Sequence, residues 1–395
     1  MLKKIIFVLF TLLASARPFL SSQAFPIQDI LYSFILIILC LLLLGRKTLS
    51  LHKNPSAFAI GLFLLAVLIS ISFSKDIEMS LSQFYKYTAY CLIFFAVATL
   101  DKDKKKIFTM ALLTSCVLVS LFALQWFLRG SMDTLDYLLQ NHRQWDFAFE
   151  YLSRGRAFVP FATPAALGGY LILFMPLSIA LLFRNKAEAS GVSSKLSFKN
   201  IFALLGVLLI SLALLSTQSL GAILSLMVAL GLFVLSQKTT ISPKSLVLIF
   251  IPFVVLLPIF FFLRNANLYF FNLPSFSVNN RFAYWHQAIK LIAQHPFVGL
   301  GIGNYPFFKS ISPHNSYLQI WAETGLLGFV ALMGISYQTL KSDFSKKYPN
   351  ERIVYESLWI GNLAFLIHNL IDLTFFLPEV STVWWAIAAL LTTAD

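Results

Sequence analysis

Runs of about 17 to 25 consecutive apolar residues, each long enough for an α-helix to cross the hydrocarbon core of a bilayer, recur along almost the whole chain. They lie near residues 4–20, 27–45, 56–74, 82–100, 107–128, 158–183, 200–217, 219–236, 244–263, 317–338, 353–373 and 379–393. Inside lipid a backbone N–H or C=O must find its partner within its own segment or around a closed barrel, and continuous rather than alternating runs select the helix. The predicted fold is therefore all-α, a polytopic membrane protein of about twelve transmembrane helices. It forms a single integral-membrane domain over residues 1–395, with a large external loop at 264–316 between the ninth and tenth spans. Only 12% of residues are charged, against about a quarter in soluble domains, and no polar stretch is long enough to bury a core of its own.

Lys and Arg in alternate loops set the orientation. An N-terminus inside places in the cytoplasm Lys3, Lys4, Arg46, Lys47, Lys53, the cluster at 102–106, the loop at 184–199, Lys238, Lys244 and the loop at 341–352. The first span, with Lys3-Lys4 before it and Ala14-Ser15-Ala16 at its end, also has the form of a secretory signal; it is expected to be retained. Most of the formal net charge of +13 is loop charge that orients the chain against anionic lipid, and it does not point to nucleic acid. Membrane lipid is the expected surrounding. Cys40, Cys91 and Cys116 all fall within spans and read as small core hydrophobes.

Basic residues also stand outside, against the positive-inside bias: Arg154 and Arg156 in one long external loop, 129–157, and Arg264, Arg281 and Lys309 in the other. From Arg264 to Asn315 there is no Asp or Glu, while His286, His295 and His314 add three imidazoles. That composition suits anions. Directly after it, Glu323 falls inside the tenth span, where a carboxylate costs several kcal/mol unless paired and so marks a functional candidate. Within the loop, Asn279 or Asn280 can cap a helix from Arg281 to about Gln294 that lies on the membrane surface, with Phe282, Trp285, Ile289 and Ile292 on one side. His314-Asn315 also reads as the start of a helix capped by Asn315 or Ser312. Gly299-Leu300-Gly301-Ile302-Gly303-Asn304 has a dinucleotide-loop look but lacks the preceding strand that such a loop needs. Trp285, Trp321, Trp384 and Trp385 read as interface anchors and packing. No external carboxylates stand at metal-ligand spacing, so neither metal nor cofactor is expected. His368 and Asp372, four apart in the eleventh span, suit a proton relay or a buried structural pair.

Four blocks in order, Arg281-Phe282-Ala283-Tyr284-Trp285, His295-Pro296-Phe297-Val298-Gly299-Leu300-Gly301-Ile302-Gly303-Asn304, His314-Asn315-Ser316-Tyr317-Leu318-Gln319 and Glu323-Thr324-Gly325-Leu326-Leu327-Gly328, resemble the core signature of the O-antigen ligase and polymerase family. The ending His368-Asn369-Leu370-Ile371-Asp372 with Pro378 is similar as well. The resemblance implies transfer of a glycan from an undecaprenyl diphosphate carrier to a hydroxyl of an acceptor sugar, on the periplasmic side of the cytoplasmic (inner) membrane, without metal or nucleotide. It implies that Arg281 binds the donor diphosphate and that His314 acts near the acceptor hydroxyl. Arg156-Ala157-Phe158-Val159-Pro160-Phe161-Ala162-Thr163-Pro164-Ala165 looks like the family's other external arginine motif, departing at Val159 and Ala165, where a Gly and an Asn are usual. Leu220 stands where the family often has arginine, so one phosphate contact is missing or comes from Arg154, Arg156 or Arg264.

The chemistry agrees with that implication. A diphosphate is already a good leaving group, so the chain has to neutralise the charge it develops and take a proton from the incoming hydroxyl. Forked guanidinium groups suit the first task and an imidazole the second. The expected site is catalytic His314, Arg281 and Glu323, with Arg154, Arg156, Arg264, Lys309, Asn315 and Tyr317 binding substrate. Lipid A core is the expected acceptor; a repeat-unit polymerase shares the donor chemistry. A transporter of lipid-linked sugar or a small anion is the remaining alternative, with Glu323, His368 and Asp372 as proton carriers. Its signs would be inverted repeats and broken helices in matching halves.

Overall fold

The computed structural model describes residues 2–45, 55–142, 147–189, 198–236, 274–305, 312–341 and 351–392, and among them every regular element is helical. In chain order these are α1 (Leu2–Ala16), α2 (Pro26–Leu44), α3 (Pro55–Ile71), α4 (Ile77–Ala98), α5 (Lys102–Gln140), α6 (Phe147–Ser153) and α7 (Pro164–Ala189). There follow α8 (Phe198–Thr217), α9 (Leu220–Ser236), α10 (Pro274–Gln294), α11 (Ser316–Lys341), α12 (Arg352–His368) and α13 (Pro378–Thr392). Four of the described helices are long and apolar enough to cross a membrane: α2, α5, residues 164–182 of α7, and α11. Helices α3 and α9 and the 201–217 part of α8 are apolar but shorter. The expected span at 244–263, Arg264 and Lys309 lie outside the described residues.

Three elements differ from the reading of the sequence. At 39 residues α5 is about 58 Å long, nearly twice the roughly 30 Å of a hydrocarbon core, so residues 129–140, expected as loop, are helix. Leu138 of that extension packs with Leu152 of α6 and with Phe158, and this burial holds it helical. Helix α10 starts at Pro274, before the expected cap at Asn279 or Asn280, since proline is pre-set for a first helical turn. Helix α12 ends at His368, so Asp372 is not one turn further along the same helix.

The chain divides into two compact units. The first comprises residues 1–112, 273–350 and 369–395. Its centre is α13, buried along almost its whole length, with Trp384 and Trp385 fully enclosed among Phe63, Phe94 and Phe375. Helix α11 packs on α3 through small residues, Gly334 facing Ala59 and Gly328 near Ala66. Phe10 of α1 stacks on Phe108, and Arg17 pairs with Asp29 while lying over the Tyr32 ring. These contacts tie α1 and α2 to the unit. The second unit comprises residues 113–272 and 351–368. There α7 packs on α8, α9 and α12, and Gly361 lies so close to Leu173 that a Cβ would come 2.2 Å from its carbonyl oxygen.

Candidate functional site

The first unit brings His314, Arg281, Tyr284 and Asp372 together. His314 immediately precedes the cap of α11 and holds φ +47, a conformation uncommon outside glycine, though less so for histidine, asparagine and aspartate. What holds it there is the start of the helix. Asn315 Oδ1 accepts from the N–H groups of Tyr317 and Leu318, both at 3.0 Å, so Asn315 is the N-cap. The Ser316 N–H donates to the carbonyls of Asn369 at 2.9 Å and Asp372 at 3.2 Å, and Ser316 Oγ bonds Asn369 Oδ1 at 2.7 Å. The turn after α12 is thereby fastened to the first residue of α11, which carries Asp372 to the His314 side.

Burial is the largest influence on the His314 imidazole and pushes its pKa below the ordinary histidine value. The Asp372 carboxylate acts against it and the Arg281 guanidinium acts with it. Tyr284, one turn along α10 from Arg281, sets its ring 6.1 Å from the His314 ring. The result is a half-buried imidazole whose charged form burial disfavours, with one cation and one anion near enough to act on it through their charge.

Helix α10 runs beside α11 in the same direction: Tyr284 stands at His314, while the Pro296 carbonyl, just past the end of α10, accepts from Trp321 Nε1 and from the Leu326 N–H. Its inward side is covered by another helix, where the sequence suggested a membrane surface for the aromatic side. Ala288, Leu291 and Ile292 turn inward against Leu318, Trp321 and Ala322, whereas Phe282 and Ile289 remain exposed, so the aromatic side read from the sequence is split between two environments.

Beyond α10 the chain enters the glycine-rich segment, which is a packing device. Gly299, Gly301 and Gly303 all have positive φ, and a Cβ on Gly299 would sit 2.3 Å from the Glu323 carbonyl oxygen. Helix α11 is broken at Gly325 (φ +69), and the segment satisfies the carbonyls that the break frees: the Leu300 N–H donates to Ala322 and the Gly301 N–H to Glu323. The Glu323 carboxylate is fully buried. It accepts from the Gly303 N–H at 2.9 Å, the Tyr305 N–H at 3.3 Å and Gln319 Nε2 at 3.0 Å. Tyr317 stands half-buried in the first turn of α11.

In the second unit Arg156 donates from Nε to the Thr217 carbonyl at 3.0 Å and lies over the Tyr151 ring. Gln218 Nε2 returns a hydrogen bond to the Gly155 carbonyl at 2.9 Å. Arg156 is therefore fixed at the corner between α8 and α9, where Leu220 opens α9, and Arg154 is partly exposed two residues before it. His368 Nε2 lies 3.2 Å from the Ala165 carbonyl of α7. Among the described residues no three of His, Cys, Asp and Glu gather as a metal-ligand set.

Reading the sequence missed Asp372 as a partner of His314. The available signal was its place in the block after His368, but a helix drawn through residue 373 hid the turn that redirects it.

Residues 205–333, a stretch that contains α9, α10 and the first part of α11, match the family model described as O-antigen ligase. Among curated proteins no match was found.

Proposed function

We propose, from the premise that this is a multi-pass membrane protein whose residues 205–333 belong to the O-antigen ligase family, that it transfers a glycan from undecaprenyl diphosphate to a hydroxyl of lipid A core. The transfer takes place at the periplasmic face of the inner membrane. The observation that carries this reading is the junction of His314 with Arg281 and Asp372. A neutral imidazole takes the proton from the acceptor hydroxyl as its oxygen attacks the anomeric carbon. The bond from that carbon to the diphosphate breaks, and the guanidinium of Arg281 offsets the charge that collects on the leaving phosphate. Asp372 stabilises the imidazolium formed on the way. Direct displacement inverts the anomeric centre.

Arg154, Arg156, Arg264 and Lys309 are proposed as donor-binding residues on the external charge of the sequence alone, Arg156 being the one held beside Leu220. Asn315 fixes the backbone that presents His314, and Tyr317 stands in the first turn of α11. The proton-relay reading of His368 and Asp372 has less support. It rests on a one-turn spacing on an unbroken helix, and the helix ends at the first of the two.

Deletion of the gene followed by gel analysis of the lipopolysaccharide tests the proposal. Loss of polymer on lipid A with carrier-linked polymer accumulating is the expected result. A single repeat left on lipid A would make the protein a polymerase acting by the same donor chemistry, and unchanged lipopolysaccharide would rule out both.

A further inference from the structure

Glu323 is a fully buried carboxylate of the first unit with three hydrogen-bond donors, and its partners place it in the framework of the site. Three donors from two elements converge on its two oxygens: the backbone N–H groups of Gly303 and Tyr305, and the Gln319 amide one turn earlier on α11. A carboxylate in a nest of N–H groups is a strong, directional tie, because both charge and geometry favour it and no water competes. The segment it ties is anchored on its other side as well. Asn304, fully buried, donates to Ser74 Oγ at 2.7 Å and Ser80 Oγ at 2.8 Å and accepts from the Asp76 N–H at 2.9 Å, while Ser80 Oγ donates to the Ile302 carbonyl at 2.6 Å. Segment 299–305 is thus fastened between α11 and the corner joining α3 to α4.

That segment is continuous with the end of α10. Pro296, two residues past Gln294, accepts from Trp321 and Leu326 of α11, so the lower end of α10 is pinned at the Gly325 break. At the upper end of the same helix the Tyr284 ring lies 6.1 Å from the His314 ring, and Arg281, one turn before Tyr284, is near enough for its charge to act on the imidazole. Between the two ends the contact of α10 with α11 is apolar: Ala288, Leu291 and Ile292 against Leu318 and Ala322. Apolar side chains set no sharp register along a seam, since a shift of one helix against the other trades similar contacts; hydrogen bonds to a fixed carboxylate do set one.

We infer that Glu323 is a positioning residue, which fixes the register of α10 on α11 through the 299–305 segment and so fixes where the Arg281 guanidinium stands relative to His314. The inference rests on the transfer reading above for its catalytic consequence, but not for its structural one. It assigns Glu323 a role without proton transfer: the carboxylate stays where it is through the reaction, and its effect reaches the donor phosphate through Arg281.

Two measurements on the purified full-length protein in nanodiscs test this. Glu323→Gln keeps the size of the side chain but replaces one accepting oxygen with an NH2 group that faces other donors. Spin labels at the exposed positions Phe282 on α10 and Val330 on α11 report the register directly. The expected result is a narrow distance distribution in the parent protein and a broadened or displaced one in Glu323→Gln; an unchanged distribution overturns the inference, whether or not the protein is a glycan transferase. The second measurement is a double-mutant cycle on transfer from the lipid-linked donor. Glu323→Gln is expected to lower kcat on the order of tenfold or more, with the acid limb of the pH profile kept, and to cost less than about threefold when Arg281 is already lysine. Equal losses in both backgrounds, loss of the acid limb, or a parent-like rate overturn it. Where Glu323→Gln does not yield folded protein, Gln319→Leu removes one of the three donors and is put through the same two comparisons. An inactive parent protein that still shows the register change in Glu323→Gln would sink the transfer reading and leave the positioning of α10 standing.

Discussion

At His314 burial and the charge of Arg281 both favour the neutral imidazole, and the Asp372 carboxylate opposes them without overcoming burial. In the transfer proposed above His314 acts as base and must be unprotonated, so the rate is expected to fall as pH drops through the His314 pKa, with that limb below the reference value of about 6.5. The two neighbours make the expectation sharper. Asp372→Asn removes the charge that favours the imidazolium and should move the limb of kcat/KM to still lower pH, whereas Arg281→Gln removes the opposing cation and should move it up. A limb that stays in place in both variants would mean that neither charge reaches the imidazole. Arg281→Lys keeps the charge and loses the fork on two phosphate oxygens, so the limb stays while transfer drops by about 2–3 kcal/mol of transition-state stabilisation, on the order of 30- to 150-fold. Near-normal turnover in the lysine variant at equal protein level would reduce Arg281 to a solvated charge. His314 and Arg281 stand out in the sequence because a histidine beside an apolar span and an arginine in an acid-free loop are out of keeping with their surroundings; their roles are the proposal made above. Asp372 does not stand out, because its role is set by the Ser316 contacts with the turn of Asn369, a meeting of segments more than fifty residues apart.

Helix ends and breaks were harder to read than helices. The apolar runs fix where α2, α3, α9 and α11 lie to within a few residues, but nothing in a run of Thr324-Gly325-Leu326 says that the helix breaks there; glycine inside a membrane span is ordinary. The break becomes intelligible only with its partner, since the Pro296 carbonyl takes the Leu326 N–H and the Leu300 and Gly301 N–H groups take the carbonyls of Ala322 and Glu323. The same pairing explains the Gly299, Gly301 and Gly303 spacing, which in isolation looks like a nucleotide loop. Gly325→Ala tests the account at this scale. A Cβ there would lie 2.0 Å from the Phe297 carbonyl oxygen on a residue held at positive φ, so the segment and the helix must part. The variant is expected to lose at least about 2 kcal/mol of stability, read as a lower unfolding temperature in detergent. Ala at Gly61, where nothing lies within 4 Å of the added Cβ, should leave it unchanged or slightly raised. Equal effects at the two glycines would show that the break is tolerant and the packing around it loose.

For the whole chain, composition says that many helices must form but not which of them lie at the centre, because equally apolar helices exchange lipid for one another with little change in hydrophobic energy. The most enclosed helix of the first unit, α13, is marked by its two buried tryptophans and by the small residues around them, features that read equally well as an interface anchor. Orientation, in contrast, is an expectation drawn from the loops. The Lys and Arg alternation puts residues 264–316, with Arg281 and His314, outside and the loop with Lys341, Lys346, Lys347 and Arg352 inside. A donor diphosphate on the outer leaflet can meet the Arg281 and His314 pair only in that orientation. In a cysteine-free background, single cysteines at Lys290 and Lys346 decide it with a membrane-impermeant thiol reagent on intact spheroplasts. The cysteine replacing Lys290, on the exposed side of α10, should label without permeabilisation, and the one replacing Lys346 only after it. The opposite pattern would turn the Arg281 and His314 pair toward the cytoplasm, where no outer-leaflet glycan reaches it, and the proposed transfer would fall with the topology.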